Sequence, residues 1–173
     1  PPDESKRKQY CKAQKNIFRL ESLPEYRVDG DLEAFEKFKK GEDYVGAGEK
    51  QWLDQLNTTK QKGVLVQRVR IVNLPLTDYL KYEIDFWKHS KKCGEYVLFL
   101  LEKDFKKILA KLQLRQKDFW MVDDKILLIY NYGSKGEWIG EEAITEKSLI
   151  EKCRKLKEDV IREAIPFDKF LKK

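Results

Sequence analysis

Apolar and polar residues alternate from Asn16 to Leu23, with Phe18 and Leu20 on one side and Arg19 and Glu21 on the other, which predicts a half-buried strand. Asp31 to Lys40 then sets Leu32, Phe35 and Phe38 at helical spacing and stops at Gly41. Glu49 to Lys62 repeats the pattern with Trp52, Leu53 and Leu56 ahead of Gly63. Val64 to Val72 is β-branched and alternating, the strongest strand signal in the chain, and ends at Asn73-Leu74-Pro75. Leu76 to His89 places Leu76, Leu80, Ile84 and Trp87 on one helical face. The apolar run Tyr96 to Leu101 beyond Gly94 has the length of a buried strand, and Lys103 to Leu114 is an amphipathic helix with Phe105, Ile108, Leu109 and Leu112 turned inward. Asp118 to Val122, Lys125 to Tyr132 and Trp138 to Ile144 read as strands joined by the turn sequences Asp123-Asp124 and Gly133 to Gly136. Thr145 is placed to cap a last helix in which Leu149, Cys153, Leu156, Val160 and Ala164 recur at three- and four-residue steps before Pro166.

Helices that cluster early and a hairpin run that comes late predict an α+β fold: a mixed or mostly antiparallel sheet with a C-terminal three-stranded meander, packed by about five helices. The 173 residues suit one domain over residues 16–173, behind a polar segment 1–15 that reads as a trimmed end or the stump of a longer protein. A chain of this length buries roughly 70% of the surface its unfolded form exposes, and 12% aromatic residues supply a core. The longest apolar run, Tyr96 to Leu101, is far short of the ~20 residues that span a bilayer. Three scattered cysteines, Cys11, Cys93 and Cys153, do not make a disulfide framework, so a reducing, cytoplasmic setting is expected.

Net charge is +6, from 36 basic and 30 acidic residues, and the excess is local. Lys88 to Lys117 holds nine Lys/Arg against three acids. Lys103, Lys107 and Lys111 form a stripe at four-residue steps, with Lys106 beside it and Arg115 just beyond, and such a stripe can neutralise phosphates. The competing reading is the solvated side of an amphipathic helix. Arg68 and Arg70 point the same way from their strand and would meet Arg19 and Glu21 if the two strands pair, giving an ion-paired sheet face that is polar instead of buried.

Catalytic signals are weak. One histidine and three separated cysteines cannot form a structural zinc site. Lys88-His89-Ser90-Lys91 echoes the His-x-Lys start of phospholipase-D-type phosphodiesterases, yet Tyr96 stands where that pattern needs Asp, and no second copy follows. A histidine at a helix end, near Asp85, is the simpler reading. Asp118, Asp123 and Asp124 are close in sequence, but tight turns favour Asp-Asp in any case.

Several stretches resemble a bacterial, mainly actinobacterial, family known as domain-of-unknown-function family 6879. They are Phe18-Arg19-Leu20-Glu21, Gln67 to Val72, Leu76 to Glu83, Asp118 to Asp124 and Gly136-Glu137-Trp138-Ile139-Gly140. The resemblance covers about residues 16–166. It implies a stand-alone intracellular protein of a kind often encoded beside helix-turn-helix regulators, with no catalytic residues to carry over. The expectation is therefore a non-enzymatic regulatory or adaptor domain without a cofactor. It would bind a protein partner, such as a helix-turn-helix DNA-binding regulator, through Arg19, Arg68, Tyr79, Glu83, Trp87 and Trp120. Nucleic-acid binding through Lys103, Lys106, Lys107, Lys111 and Arg115 is the alternative, and a metal-dependent enzyme using Asp118, Asp123 or Glu83 ranks third.

Overall fold

The computed structural model describes residues 12–28 and 30–172, so Cys11 and most of the polar leader lie outside the described residues. In chain order the elements are β1 (Asn16–Glu21), α1 (Asp31–Lys39), α2 (Ala47–Gln61), β2 (Leu65–Val72), α3 (Asp78–Lys92), β3 (Glu95–Leu101), α4 (Glu102–Leu112), β4 (Asp118–Val122), β5 (Ile126–Tyr132), β6 (Trp138–Ile144), α5 (Lys147–Glu163), β7 (Ile165–Pro166) and α6 (Phe167–Phe170). The fold is α+β around one mixed sheet with strand order β6-β5-β4-β1-β2-β3-β7. At its centre β1, β2 and β3 are parallel, and the other four pairings are antiparallel, including β4, β5 and β6 in succession.

Strand alternation divides the core in two. Phe18, Leu20, Val69, Ile71, Phe119 and Met121 face α4 and α5, whose Phe105, Ile108, Leu156 and Val160 complete an apolar layer. The opposite face carries Ile17, Arg19 and Glu21 of β1 beside Val66, Arg68 and Arg70 of β2, with Trp120 of β4 across from Arg19. Helices α1, α2 and α3 roof this face with Phe35, Leu56, Leu80 and Trp87. Arg70 is 0% exposed, so the expectation of a polar face in place of a buried one is half corrected: this face is both polar and buried.

Local chemistry fixes the element ends. Thr77 caps α3, its hydroxyl accepting the Leu80 N–H at 3.2 Å. Glu146, not Thr145, occupies the cap position of α5 and makes no side-chain cap bond, so the expected Thr145 cap is not formed. Asp123 and Asp124 both have φ above +50°, as a two-residue type I′ hairpin loop requires. The Asp123 carboxylate also accepts the N–H groups of Gln14, Lys15 and Asn16, tying the β4–β5 hairpin to the start of β1.

Two elements escaped the sequence pattern. β7 has two residues and α6 four, too short for either period to register. They close the outer side of β3, where Phe99 stacks on Phe170 with ring centroids 4.2 Å apart.

Phe105, fully buried between α4 and the sheet, anchors the apolar layer. Phe105→Ala is expected to cost about 3–5 kcal/mol of unfolding free energy, and exposed Lys103→Ala less than about 0.5; urea denaturation followed by circular dichroism measures both.

Candidate functional site

The parallel register of β1 and β2 sets Arg19 beside Arg68 and Glu21 beside Arg70. Like charges packed this closely under a roof of helices need immediate partners. Arg19 Nη2 donates to Glu21 Oε1 at 2.6 Å. Arg68 donates from Nη1 to Glu21 Oε2 at 2.6 Å and from Nε to Glu95 Oε1 at 2.9 Å. Arg70 donates from Nε and Nη2 to Glu83 Oε2, at 3.0 and 2.9 Å, and from Nη1 to the Leu23 carbonyl at 2.5 Å. Arg19, Glu21, Arg68 and Glu95 thus form one bonded network across β1, β2 and β3, and Arg70 with Glu83 forms a second that ties β2 to α3.

Aromatic rings cover the guanidinium faces. Arg19 lies 4.2 Å from the Trp120 ring centroid and 5.2 Å from that of Trp52, Arg68 lies 5.1 Å from Trp87, and Arg70 lies 5.0 Å from Tyr26. Above this layer the first turns of α1 and α2 stand apart, leaving a cavity of about 490 Å³ between the sheet and the three roof helices. Its floor is buried Arg68, Tyr79, Trp87 and Trp120, and its mouth is marked by exposed Val28, Gly30, Gly48 and Gln51. All six residues of the expected partner surface, Arg19, Arg68, Tyr79, Glu83, Trp87 and Trp120, line this one cavity. They form its interior, not an exposed patch.

Glu21, Asp31, Glu49, Trp52 and Tyr82 line the cavity as well, and the sequence reading did not single them out as site residues. Glu21 was visible as the partner of an alternating strand. Asp31 and Glu49 looked like the acidic first turns that helices ordinarily favour.

Acids outnumber bases around the cavity. Glu21, Asp31, Glu49 and Glu83 face Arg19 and Arg68, while Arg70 and Glu95 offset each other beneath. Burial alone would raise the Glu21 carboxyl, but Arg19, Arg68 and Arg70 hold it down at about 2. Asp31 makes no hydrogen bond or ion pair to any described residue, and burial, with the charges of Glu21 and Glu49, pushes its carboxyl up to about 6. Glu83 is pushed up to about 7, by burial first and then by Glu21, against the pull of Arg70.

The other sequence candidates stand elsewhere. Lys106, Lys107 and Lys111 on α4 pair with Glu102, Asp104 and Asp159, whereas Lys103 and Arg115 make no ion pair to a described residue. Asp118 and Asp123 sit at opposite ends of β4. Asp118 accepts the Ser22 N–H at 2.9 Å together with the Ser22 and Tyr26 hydroxyls, and Asp123 accepts backbone N–H groups. His89 is exposed on α3 and lies outside the cavity lining. Among the described residues no group of three or more His, Cys, Asp or Glu is arranged to hold a metal ion, and no helix is long and apolar enough to cross a membrane.

A family model described as a domain of unknown function (DUF6879) matches residues 5–172. No curated protein matches the chain. Among solved structures, the phospholipase D family member Nuc from Salmonella typhimurium is similar in fold, with a TM-score of 0.53 and 11% sequence identity over 92% of this chain and 86% of that one. At that identity the likeness concerns the fold alone.

Two predictions follow from the charges. Arg70→Ala strands the buried Glu83 carboxylate and the Leu23 carbonyl, at an expected cost of about 3–5 kcal/mol in urea unfolding, and the double change Arg70→Met with Glu83→Leu recovers most of that loss. Asp31 titrates higher in the folded chain than its ordinary 3.8, so its contribution to stability is full below about pH 4 and is lost as pH rises through about 6. The shift alone is worth about 3 kcal/mol, and Asp31 loses part of that cost through its favourable place in the first turn of α1. Asp31→Asn is therefore expected to stabilise the chain by about 1–2 kcal/mol at pH 8 and to change little at pH 4, as unfolding curves at the two pH values will show.

Proposed function

The chain belongs to the DUF6879 family, and we propose that it is a recognition domain that takes part of a protein partner, of the DNA-binding regulator class, into the cavity beneath α1, α2 and α3. One observation carries the reading: six residues from four elements converge on a single cavity of about 490 Å³, within the 300–1,000 Å³ range typical of ligand sites. The floor is preorganised, because each guanidinium is held by carboxylates below and by an aromatic ring alongside. Rigid aromatic anchors among fixed polar groups are what binding hot spots are made of. The arginines are already committed to glutamates, which favours holding a group in place over attacking it. The regulatory role and the regulator as partner rest on the family resemblance.

Nucleic-acid contact through α4 is the second reading, and exposed, unpaired Lys103 and Arg115 favour it. Its electrostatic drive is reduced because the other three lysines already have acidic partners.

Gly48 provides a clean test. It lies at the mouth in the first turn of α2, and a Cβ there meets nothing within 4 Å. Gly48→Trp is expected to leave the unfolding midpoint unchanged or slightly raised while abolishing capture of a helix-turn-helix regulator, scored by size-exclusion chromatography of purified proteins. Undiminished capture by Gly48→Trp would remove the cavity from the recognition surface.

A further inference from the structure

The cavity has walls that suit a flat cation, and the charged groups in it with hydrogen-bonding capacity to spare are mainly carboxylates. Asp31 has neither hydrogen bond nor ion pair among the described residues, and Glu83, only 9% exposed, receives both Arg70 bonds on Oε2 and none on Oε1. Glu49 spends one oxygen on the Gly46 N–H at 3.0 Å. Asp31, Glu49 and Glu83 line the same cavity as Tyr79 and Tyr82, and neither tyrosine bonds its hydroxyl to another described residue. The guanidinium groups face the opposite situation. Arg68 and Arg70 are spent on glutamates; Arg19 holds Glu21 through Nη2 and stands 3.8 Å from Glu95 Oε1 through Nη1, and its Nε has no accessible surface.

A bound anion would thus face four carboxylates and find each guanidinium already paired with a glutamate, whereas a bound cation would find carboxylate oxygens that accept from no described residue beside the rings of Tyr79, Tyr82 and Phe86. We propose that the cavity binds an organic cation bearing N–H donors, a guanidinium or alkylammonium group, with its head between Asp31 and Glu83 and its stem passing Gly48 and Gln51. This rests on the cavity being the recognition site and names the chemistry it recognises. A planar guanidinium fits best, because its fork of donors can meet two carboxylates at once and its face can stack on a ring.

The same head group reaches the cavity either on a free amine or as an arginine or lysine side chain of a protein, and calorimetric titration of the whole chain separates these. The probes are N-acetyl-arginine amide, its neutral isostere N-acetyl-citrulline amide, agmatine, a short Gly/Ser peptide with one central arginine, and AMP as the anionic control. The arginine amide is expected to bind at least tenfold more tightly than the citrulline amide at pH 7.5, about 1.4 kcal/mol. Binding should weaken toward pH 5 as Asp31 takes up its proton. Asp31→Asn is expected to remove most of the preference while leaving the chain folded, and Glu83→Gln provides a second variant. Binding by the peptide at least as tight as by agmatine assigns the cation to a protein side chain, and agmatine binding with the peptide excluded assigns it to a free amine. Equal binding of the citrulline amide, tighter binding of AMP, or no binding of either cation would overturn the proposal. If Gly48→Trp abolishes regulator capture and the cations still do not bind, the cation assignment alone fails; if it leaves both capture and cation binding intact, the cavity itself is the wrong site.

Discussion

Arg70 is the fixed point of this molecule. A guanidinium with no exposed surface, on a central strand of a parallel unit, can exist only if every donor direction is answered, and the answers come from Glu83 on α3 and the carbonyl of Leu23 just after β1. Those three bonds set where α3 lies against the sheet and where the chain leaves β1. Arg68 and Arg19 extend the same demand sideways, drawing in Glu21 and Glu95. With long, charge-bearing side chains standing up from the sheet, the roof helices cannot close on it as α4 and α5 close on the other face. The space left over is the cavity.

The two faces show what a single alternation encodes. On β1, Phe18 and Leu20 contribute to an apolar layer between sheet and helices, while Arg19 and Glu21, one residue out of step, contribute to a polar one. Dry layers tolerate hydrophobic exchange and hold the fold together; buried polar layers depend on complete pairing and confer little net stability. Both sides of the sheet bury apolar side chains, whereas the paired charges and the cavity lie on the α1–α3 side. Asp31, which makes no hydrogen bond or ion pair to a described residue, carries an energetic cost that a ligand of opposite charge would relieve.

Most element positions were legible because each segment has one clean period: Val64 to Val72 alternates, and Lys103 to Leu114 repeats at three and four. The parallel pairing of β2 with β1 and β3 was not legible, since alternation reports which side chains share a face and says nothing of strand direction. The site was half legible. Arg19, Arg68, Tyr79, Glu83, Trp87 and Trp120 stood out as polar or aromatic residues set among core positions, and they do meet. Asp31 and Glu49 did not stand out, because an acid at a helix start has an ordinary local explanation that masks any second role. The burial of the polar face escaped for a related reason: charged residues on a strand are usually solvated, and only the register shows that these are neighbours of one another.

The sheet also has two unlike edges. On the β3 side the two-residue β7 forms the margin and ends in Pro166, which lacks the N–H needed to receive another strand. On the other side β6 is seven residues long, has a strand neighbour on one side only among the described residues, and exposes Trp138 and Ile139. Strand addition therefore has a long open margin at β6 and a short, proline-ended one at β7, so the two margins would receive another strand unequally.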